Sequence, residues 1–209
     1  MTSIEQQTTR KRSQRTLAVI VAVAAVVAIG VAFGVAKLTG GDDTVPYTDS
    51  RSAGRLTLCT GGERVTGGKL ADRPFAEFVL GETALGQQYD AQGAVAALYA
   101  YQPRNGIDAS EFSGNVLTQA ATLLDATKPA ARLSDESWSL EDFTTAFPAT
   151  WDGYVQLRLY LGTPAAGTLT TEPYDTADIK VSGDEWTLVS GGSQSCSDAA
   201  SAVVPAPSS

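Results

Sequence analysis

The stretch Tyr154-Val-Gln-Leu-Arg-Leu-Tyr-Leu161 decides the fold class, because aliphatic side chains alternate along it with polar or aromatic ones without interruption. Successive side chains of an extended strand point to opposite faces. The aliphatic face comprises Val155, Leu157, Leu159 and Leu161, and the other face comprises Tyr154, Gln156, Arg158 and Tyr160. We predict a β-strand whose aliphatic face lies on the hydrophobic core.

Strand-like runs recur on both sides of this stretch, with turn residues between them. They are Arg55–Cys59, Phe75–Leu80, Ala94–Tyr101, Ala177–Val181 and Glu185–Val189. The last two flank Ser182-Gly-Asp184, which is typical of a short hairpin loop. This pattern predicts a mainly β fold, an antiparallel, immunoglobulin-like β-sandwich with one or two short helices. A curved sheet backed by a helix is the alternative.

Helix signals are fewer than strand signals. Ser139-Leu-Glu-Asp142 has the spacing of a capping box, and Pro148 follows as a stop. We predict one short helix between them. The segment Val116–Leu124 fits either a second short helix or a strand.

The segment from Thr16 to Ala36 carries no charged residue, and residues 17–36 contain only Leu, Val, Ile, Ala, Phe and Gly. Twenty helical residues extend about 30 Å, which is the thickness of the hydrocarbon core of a bilayer. The basic residues Arg10, Lys11, Arg12 and Arg15 precede the segment. Because such residues stay on the cytoplasmic side, we predict a single-pass cell-membrane protein with its N-terminus in the cytoplasm and its C-terminal domain outside.

Two further possibilities concern this apolar segment. Gly34-Val-Ala36 supplies the small residues of a signal-peptide cleavage site, but the apolar run exceeds the roughly 7–15 residues of such peptides. The sequence thus favours a retained anchor and leaves cleavage open. Gly30 and Gly34 form a GxxxG pair, which is a candidate helix-packing face.

Composition divides the chain into five segments. They are a basic cytoplasmic tail (1–15), a transmembrane helix (16–38), a flexible tether (39–54), an extracytoplasmic domain (55–198) and a disordered tail (199–209). The tether is predicted from its Gly, Asp, Thr and Ser content. Cys59 and Cys196 lie near the two ends of the domain, and outside the cytoplasm an oxidised pair is the default. We therefore predict a disulfide between them.

Charge and missing residue types exclude several functions. Residues 41–209 hold 22 of the 23 acidic residues but 10 of the 15 basic ones, so we expect no nucleic-acid partner. The sequence contains no histidine, which removes Ser-His-Asp and Cys-His catalysis and His-ligated zinc. It also lacks a nucleophile elbow, a P-loop, a dinucleotide fingerprint and an EF-hand loop. We predict no catalytic, metal-binding or cofactor-binding residue, and no cofactor.

Aromatic residues give the remaining candidate site. If the aliphatic face of the central strand lies on the core, Tyr154 and Tyr160 point outward with Arg158 between them. We treat these three residues as a candidate interaction face, because aromatic and arginine side chains dominate binding hot spots. The alternative is a second buried face, or cross-strand aromatic pairs that cover the sheet. Trp138 and Trp186 are predicted to lie in the core.

Three runs of the sequence stand out together. They are Leu98-Tyr-Ala-Tyr-Gln-Pro-Arg-Asn-Gly106, Trp151-Asp-Gly-Tyr-Val-Gln-Leu-Arg-Leu-Tyr-Leu-Gly162 and Tyr174-Asp-Thr-Ala-Asp-Ile-Lys-Val-Ser-Gly183. In these runs the chain resembles a group of uncharacterised membrane-anchored or secreted proteins of actinobacteria. The resemblance covers residues 55–190 and implies an extracytoplasmic location, but it assigns no activity and no site residue.

These observations predict a membrane-tethered, extracytoplasmic module of the cell envelope, non-enzymatic, that binds a protein partner or an envelope polymer. One alternative is an accessory subunit of a membrane protein complex, held by its transmembrane helix through Gly30 and Gly34. The other is an envelope hydrolase with two catalytic carboxylates, which would have to lie about 5–10 Å apart in a cleft.

Overall fold

The structure is a computed structural model, and it describes residues 44–203. The predictions for the basic tail, for the apolar segment 16–38 and for Gly30 and Gly34 lie outside the described residues. Within residues 44–203, no helix has the length and apolar character needed to cross a membrane.

The described chain forms thirteen strands, one α-helix and three short 3-10 helices. The strands are β1 (Ser52–Arg55), β2 (Thr57–Thr60), β3 (Glu63–Arg64), β4 (Gly67–Lys69), β5 (Phe78–Leu80), β6 (Val95–Gln102), β7 (Ser113–Val116), β8 (Ala121–Thr122), β9 (Ala130–Arg132), β10 (Tyr154–Thr163), β11 (Gly167–Thr168), β12 (Tyr174–Ser182) and β13 (Glu185–Ser190). The α-helix is α1 (Leu140–Ala146), and the 3-10 helices are Gln87–Gln92, Ala109–Glu111 and Ala199–Ser201.

The strands form two sheets. The larger, nine-stranded sheet has the order β4-β13-β12-β10-β6-β7, with β1 beside β12, β11 beside β10 and β8 beside β6. The smaller sheet has the order β3-β2-β5-β9. Pairing is antiparallel except between β1 and β12, which run parallel. The described residues are thus mainly β, with two largely antiparallel sheets and one α-helix, consistent with a β-sandwich. An immunoglobulin-like topology stays a prediction.

The hydrophobic core lies on one face of the larger sheet. Residues opposite each other on neighbouring strands share a face, and Leu157 of β10 lies opposite Ala100 and Ala177. All three belong to one buried cluster, which also includes Leu58 of the smaller sheet and Phe143 of α1. The aliphatic face of β10 therefore lies on the core, as its alternation predicts.

The predicted strands and the predicted helix are confirmed, with shifted ends. The five flanking runs overlap β2, β5, β6, β12 and β13, and the predicted hairpin loop joins the last two strands. The capping box is present: the Ser139 hydroxyl accepts the N–H of Asp142, and the Asp142 carboxylate accepts the N–H of Ser139. The undecided segment 116–124 is not helical, since it contains the end of β7 and all of β8.

The folded domain extends beyond both of its predicted limits. The predicted tether is wrong for residues 44–54, because part of this segment pairs as β1 and its inward side chains pack on the larger sheet. The predicted tail is wrong for residues 199–203, where Val203 is buried and pairs with Leu123. Both segments have the composition of a linker, and composition alone predicts that they lie outside the folded domain. Their few apolar and charged side chains instead pack on the sheets.

Candidate functional site

Cys59 and Cys196 form a disulfide, as predicted. Their Cα atoms lie 5.6 Å apart, and the bond links β2 to the segment after β13 across 137 residues of sequence. Both residues are buried in the hydrophobic core. The chain contains two cysteines in total, so the disulfide leaves no free thiol for nucleophilic or redox chemistry.

The candidate interaction face of Tyr154, Arg158 and Tyr160 does not lie on the surface. Arg158 is 1% exposed, Tyr160 is 2% exposed and Tyr154 is partly buried. The expectation that these side chains point into solvent is therefore wrong. The alternative of a second buried face is the one that the structure shows.

A segment before β1, residues 44–51, covers this face, and we call it the strap. Its exposure alternates as in an extended strand. The partly buried residues are Val45, Tyr47 and Asp49, and the exposed ones are Thr44, Pro46, Thr48 and Ser50. The Tyr47 ring packs edge-on against Phe112 and Tyr154, with centroids 5.4 and 6.4 Å away. The strap thus places one aromatic and one acidic side chain on the sheet.

Arg158 lies at the centre of the covered face, and each nitrogen of its guanidinium has a polar partner. Nε donates to Oε1 of Gln156 at 2.7 Å, and Nη2 donates to the carbonyl oxygen of Ala109 at 2.7 Å. Nη1 lies 3.4 Å from the Tyr160 hydroxyl, and the Asp49 carboxylate lies 3.4 Å from Nη2. These contacts offset the several kcal/mol that burial of a charged group costs.

Tyrosine rings enclose the buried ion pair. The Arg158 guanidinium carbon lies 4.0 Å from the ring centroid of Tyr101 and 4.7 Å from that of Tyr174. Both rings thus present a cation–π contact to the arginine. The Tyr174 hydroxyl also donates to the Asp49 carboxylate at 2.9 Å. Asp49 of the strap therefore has a cationic and a neutral partner on the sheet.

A second buried carboxylate, Asp178, lies beside this pair. The Tyr47 hydroxyl donates to Asp178 at 2.6 Å, and the half-exposed Arg55 lies 3.7 Å away. Burial raises the pKa of Asp178 above its ordinary value. Burial, and then the charge of Asp178, raise the pKa of Tyr47. The Tyr47 hydroxyl therefore stays protonated and donates a hydrogen bond to the Asp178 carboxylate.

Sequence reasoning missed Tyr47 and Asp49 because they stand in a stretch with the composition of a linker. The available signal was the period-two placement of Val45, Tyr47 and Asp49. An aromatic residue is also unusual in a flexible segment, since such segments are poor in aromatic residues.

The exposed candidate site is a shallow groove beside α1, which we call the Trp138 groove. It has a volume of about 510 Å³ and is lined by Arg73, Glu136, Trp138, Asp142 and Thr145. Trp138 is 37% exposed, so its predicted place in the core is wrong. Trp186 is buried, as predicted. The groove therefore presents an indole ring to solvent among charged side chains.

Two charged groups of the Trp138 groove, Arg73 and Asp142, are fixed by neighbouring atoms. Asp142 accepts the N–H of Ser139 at 2.8 Å and forms an ion pair with Arg73. The Ser139 N–H, with a further contribution from Arg73, holds the pKa of Asp142 below its ordinary value. Arg73 also donates to the carbonyl oxygen of Ser137 at 3.2 Å. Asp142 is thus a fixed acceptor and a poor proton donor.

Other acidic residues that are close in sequence do not form a shared site. Asp175 and Asp178 lie on opposite faces of β12, since they are three positions apart in an extended strand and pair with Leu159 and Gln156, respectively. Asp184 and Glu185 both form ion pairs with Lys69 on the surface. Across residues 44–203, no group of three or more His, Cys, Asp or Glu side chains is arranged to hold a metal ion.

Comparison with known proteins gives no relative: no protein-family model, no curated protein and no solved structure matches this chain. The resemblance to actinobacterial proteins therefore stays a prediction.

Proposed function

We propose that this chain is a single-pass membrane protein whose extracytoplasmic domain is a non-enzymatic module that binds a protein partner or an envelope polymer. Two features support the outer location of the domain. The apolar segment 16–38 follows a basic tail, which favours an N-terminus in the cytoplasm. The disulfide Cys59–Cys196 is typical of oxidising compartments.

We assign binding to the Trp138 groove, and the exposed indole ring is the observation that carries the proposal. Trp138 leaves more than a third of its surface in water, and a ligand can cover this apolar area. Arg73 and Asp142 supply a donor and an acceptor that orient a ligand against the ring. Tryptophan and arginine are also among the residues most enriched in binding hot spots.

Carboxylate-dependent hydrolysis is the weaker alternative. The groove does contain two carboxylates, Glu136 and Asp142. A glycosidase needs one carboxyl group with a raised pKa, so that it is protonated when it meets the substrate. The Ser139 N–H and Arg73 lower the pKa of Asp142, so Asp142 is excluded as that acid. Its ion pair with Arg73 also occupies the carboxylate that would have to attack the substrate or activate water, which favours a binding site over a hydrolytic one.

The binding proposal is tested by comparing the full-length chain with its Trp138→Ala variant. Each is incubated with isolated cell-wall material of the producing organism, and the cosedimented fraction is measured. The same two proteins, solubilised in detergent, are used to capture protein partners. Because hot-spot residues contribute 2 kcal/mol or more, Trp138→Ala should weaken the relevant interaction at least about tenfold.

Leu124→Ala is the matched control, since Leu124 is 59% exposed and does not line the groove. It should bind as the unmodified chain does. Equal binding of all three proteins would rule out the Trp138 groove as the binding site. Capture that survives Trp138→Ala but is lost when residues 16–38 are replaced by a polyleucine helix would favour the accessory-subunit alternative.

Topology has its own test. A tag at the C-terminus should be removed by protease in whole cells stripped of their wall, and a tag at the N-terminus should be protected. A protected C-terminal tag would contradict the extracytoplasmic location.

A further inference from the structure

The strap is held to the sheet differently from the strand that follows it. From Ser52 onward, β1 pairs with β12 through backbone hydrogen bonds. At the end of the strap, the carbonyl oxygen of Arg51 accepts the N–H of Tyr174 in β12. For residues 44–50, within the described chain, the one backbone–backbone hydrogen bond is a local turn in which the carbonyl oxygen of Asp49 accepts the N–H of Ser52, and none reaches β12. The polar contacts there come from the side chains of Tyr47 and Asp49. A segment held in this way opens at a lower free energy than a strand within a ladder.

The pocket beneath the strap is built by the rest of the domain. Gln156 and the carbonyl oxygen of Ala109 bind two nitrogens of Arg158, and the Tyr101 ring stacks on its guanidinium at 4.0 Å. None of these contacts involves the strap. Arg158 therefore stays oriented toward an incoming carboxylate when the strap leaves, and water then hydrates the exposed charge.

The strap has the chemistry of a peptide ligand for this pocket. Asp49 presents a carboxylate to Arg158 and Tyr174, and Tyr47 presents a hydroxyl to Asp178. The two residues are separated by one position, so an extended chain places both side chains on the same face. We propose that the pocket around Arg158 is a binding site for an extended Tyr-x-Asp peptide, and that the strap of a second copy of this chain exchanges with the resident strap.

The chain around the strap permits this exchange. The register between β1 and β12 shifts between Ser52 and Gly54, so an irregularity marks the point where the strap joins the ladder. A second copy carries the same two side chains at the same spacing. Reciprocal exchange therefore preserves every strap contact, as in domain swapping. The site shares no residue with the Trp138 groove, so either proposal can fail alone.

The first test uses a fluorescein-labelled peptide of residues 44–51, TVPYTDSR, and the full-length chain with Tyr47→Ala and Asp49→Ala. Removing both side chains vacates the pocket. The labelled peptide should bind this double variant saturably, and at least about tenfold more tightly than the unmodified chain, whose resident strap competes at high effective concentration. A peptide carrying the same two alanines is the matched control and should not bind.

Two results would overturn the pocket as a peptide site. One is the absence of saturable binding to a double variant that still melts cooperatively. The other is a double variant that no longer folds, because a detachable strap requires the rest of the domain to stay folded without it.

The second test identifies the occupant. A photoreactive diazirine amino acid replaces Val45, which lies on the inward side of the strap. Full-length copies with natural and heavy nitrogen isotopes are mixed, incubated and irradiated, and the cross-linked peptides are analysed by mass spectrometry. Cross-links from the strap of one isotope to pocket strands of the other should appear and grow with incubation time. If every strap-to-pocket cross-link joins peptides of the same isotope, the second copy is not the occupant.

Discussion

The two faces of strand β10 are both buried, but they are stabilised in opposite ways. On one face, Leu157 packs among aliphatic neighbours of both sheets. On the other, Arg158 is held by hydrogen bonds, ring contacts and an ion pair with Asp49. The first face needs only apolar surface, since the hydrophobic effect has no directional requirement. The second face needs particular atoms at particular positions.

This difference determines what a substitution does on each face. A shortened aliphatic side chain loses buried area and leaves a cavity, and its neighbours relax partly. A lost polar partner leaves the remaining group buried and unsatisfied, which costs the full desolvation of that group. The polar face is therefore the more sensitive of the two to small chemical changes.

The largest effect on stability is expected from removal of the disulfide, whose two cysteines lie in the hydrophobic core on the apolar face. For a loop of this length, the chain-entropy model gives a contribution of up to roughly 5 kcal/mol. Cys59→Ser with Cys196→Ser should lower the free energy of unfolding by up to that amount in urea titrations. The unmodified protein under reductant should unfold at the same urea concentration as the double variant. Unchanged unfolding in both cases would show that the cross-link does not stabilise the core.

The next effect compares the two faces directly. Arg158→Met should lower the free energy of unfolding by about 3–5 kcal/mol, because Asp49 is left buried without its cation. Asp49→Asn in the Arg158→Met background should recover part of the loss, and the double-mutant cycle should show coupling above about 1 kcal/mol. Leu157→Ala, on the apolar face, is the control and should show no coupling with Asp49→Asn. If the effects of Arg158→Met and Asp49→Asn on the free energy of unfolding are additive, the two side chains do not form a stabilising ion pair.

A smaller effect is expected when one hydroxyl group is removed from the strap. Tyr47→Phe keeps the ring contacts but takes the donor away from buried Asp178, and should cost about 1–3 kcal/mol. Tyr89→Phe is the matched control, because the Tyr89 hydroxyl donates to the less buried Glu172 at 3.2 Å. Its effect should stay within about 0.5 kcal/mol. Equal effects at the two positions would show that Tyr47 is not a buried donor.

The smallest effect is a change in pH dependence. Burial raises the pKa of Asp178, so the folded state keeps a proton that the unfolded chain releases. The stability from this group is complete below the unfolded pKa of about 3.9 and is lost as the pH rises toward the folded value. The melting temperature of Asp178→Asn, relative to the unmodified chain, should therefore rise between about pH 4 and pH 7. Other carboxylates are common to both proteins and cancel. A pH-independent difference would contradict the raised pKa.

The apolar face of β10 could be predicted from the sequence, whereas the polar face could not. The alternation of Val155, Leu157 and Leu159 predicts both the strand and its core face, because apolar periodicity needs no knowledge of distant residues. Whether Arg158 is buried or exposed depends on Asp49, which lies far away in sequence within a linker-like stretch. No local pattern pairs two such residues, so the covered face was predicted to be exposed.

The candidate binding site was beyond sequence reasoning for a related reason. Trp138 precedes the predicted helix, and its size and apolar character suggest burial. Its surroundings include Arg73, which lies 69 residues before Asp142 in the sequence and meets it at the start of α1. The capping box itself was predicted, because its two partners lie three residues apart.

The ionisation of Tyr47 reports whether the strap belongs to the folded domain. The chain has seven tyrosines, and ¹³Cζ labelling with NMR detection follows each hydroxyl, with Tyr47→Phe assigning the resonance. Methyl resonances of Leu157 report whether the domain stays folded. We predict that the Tyr47 signal stays constant through the region around pH 10, because burial and Asp178 raise its pKa. A midpoint near 10.0, the ordinary value for tyrosine, in a domain that is still folded would place Tyr47 in water and contradict the strap.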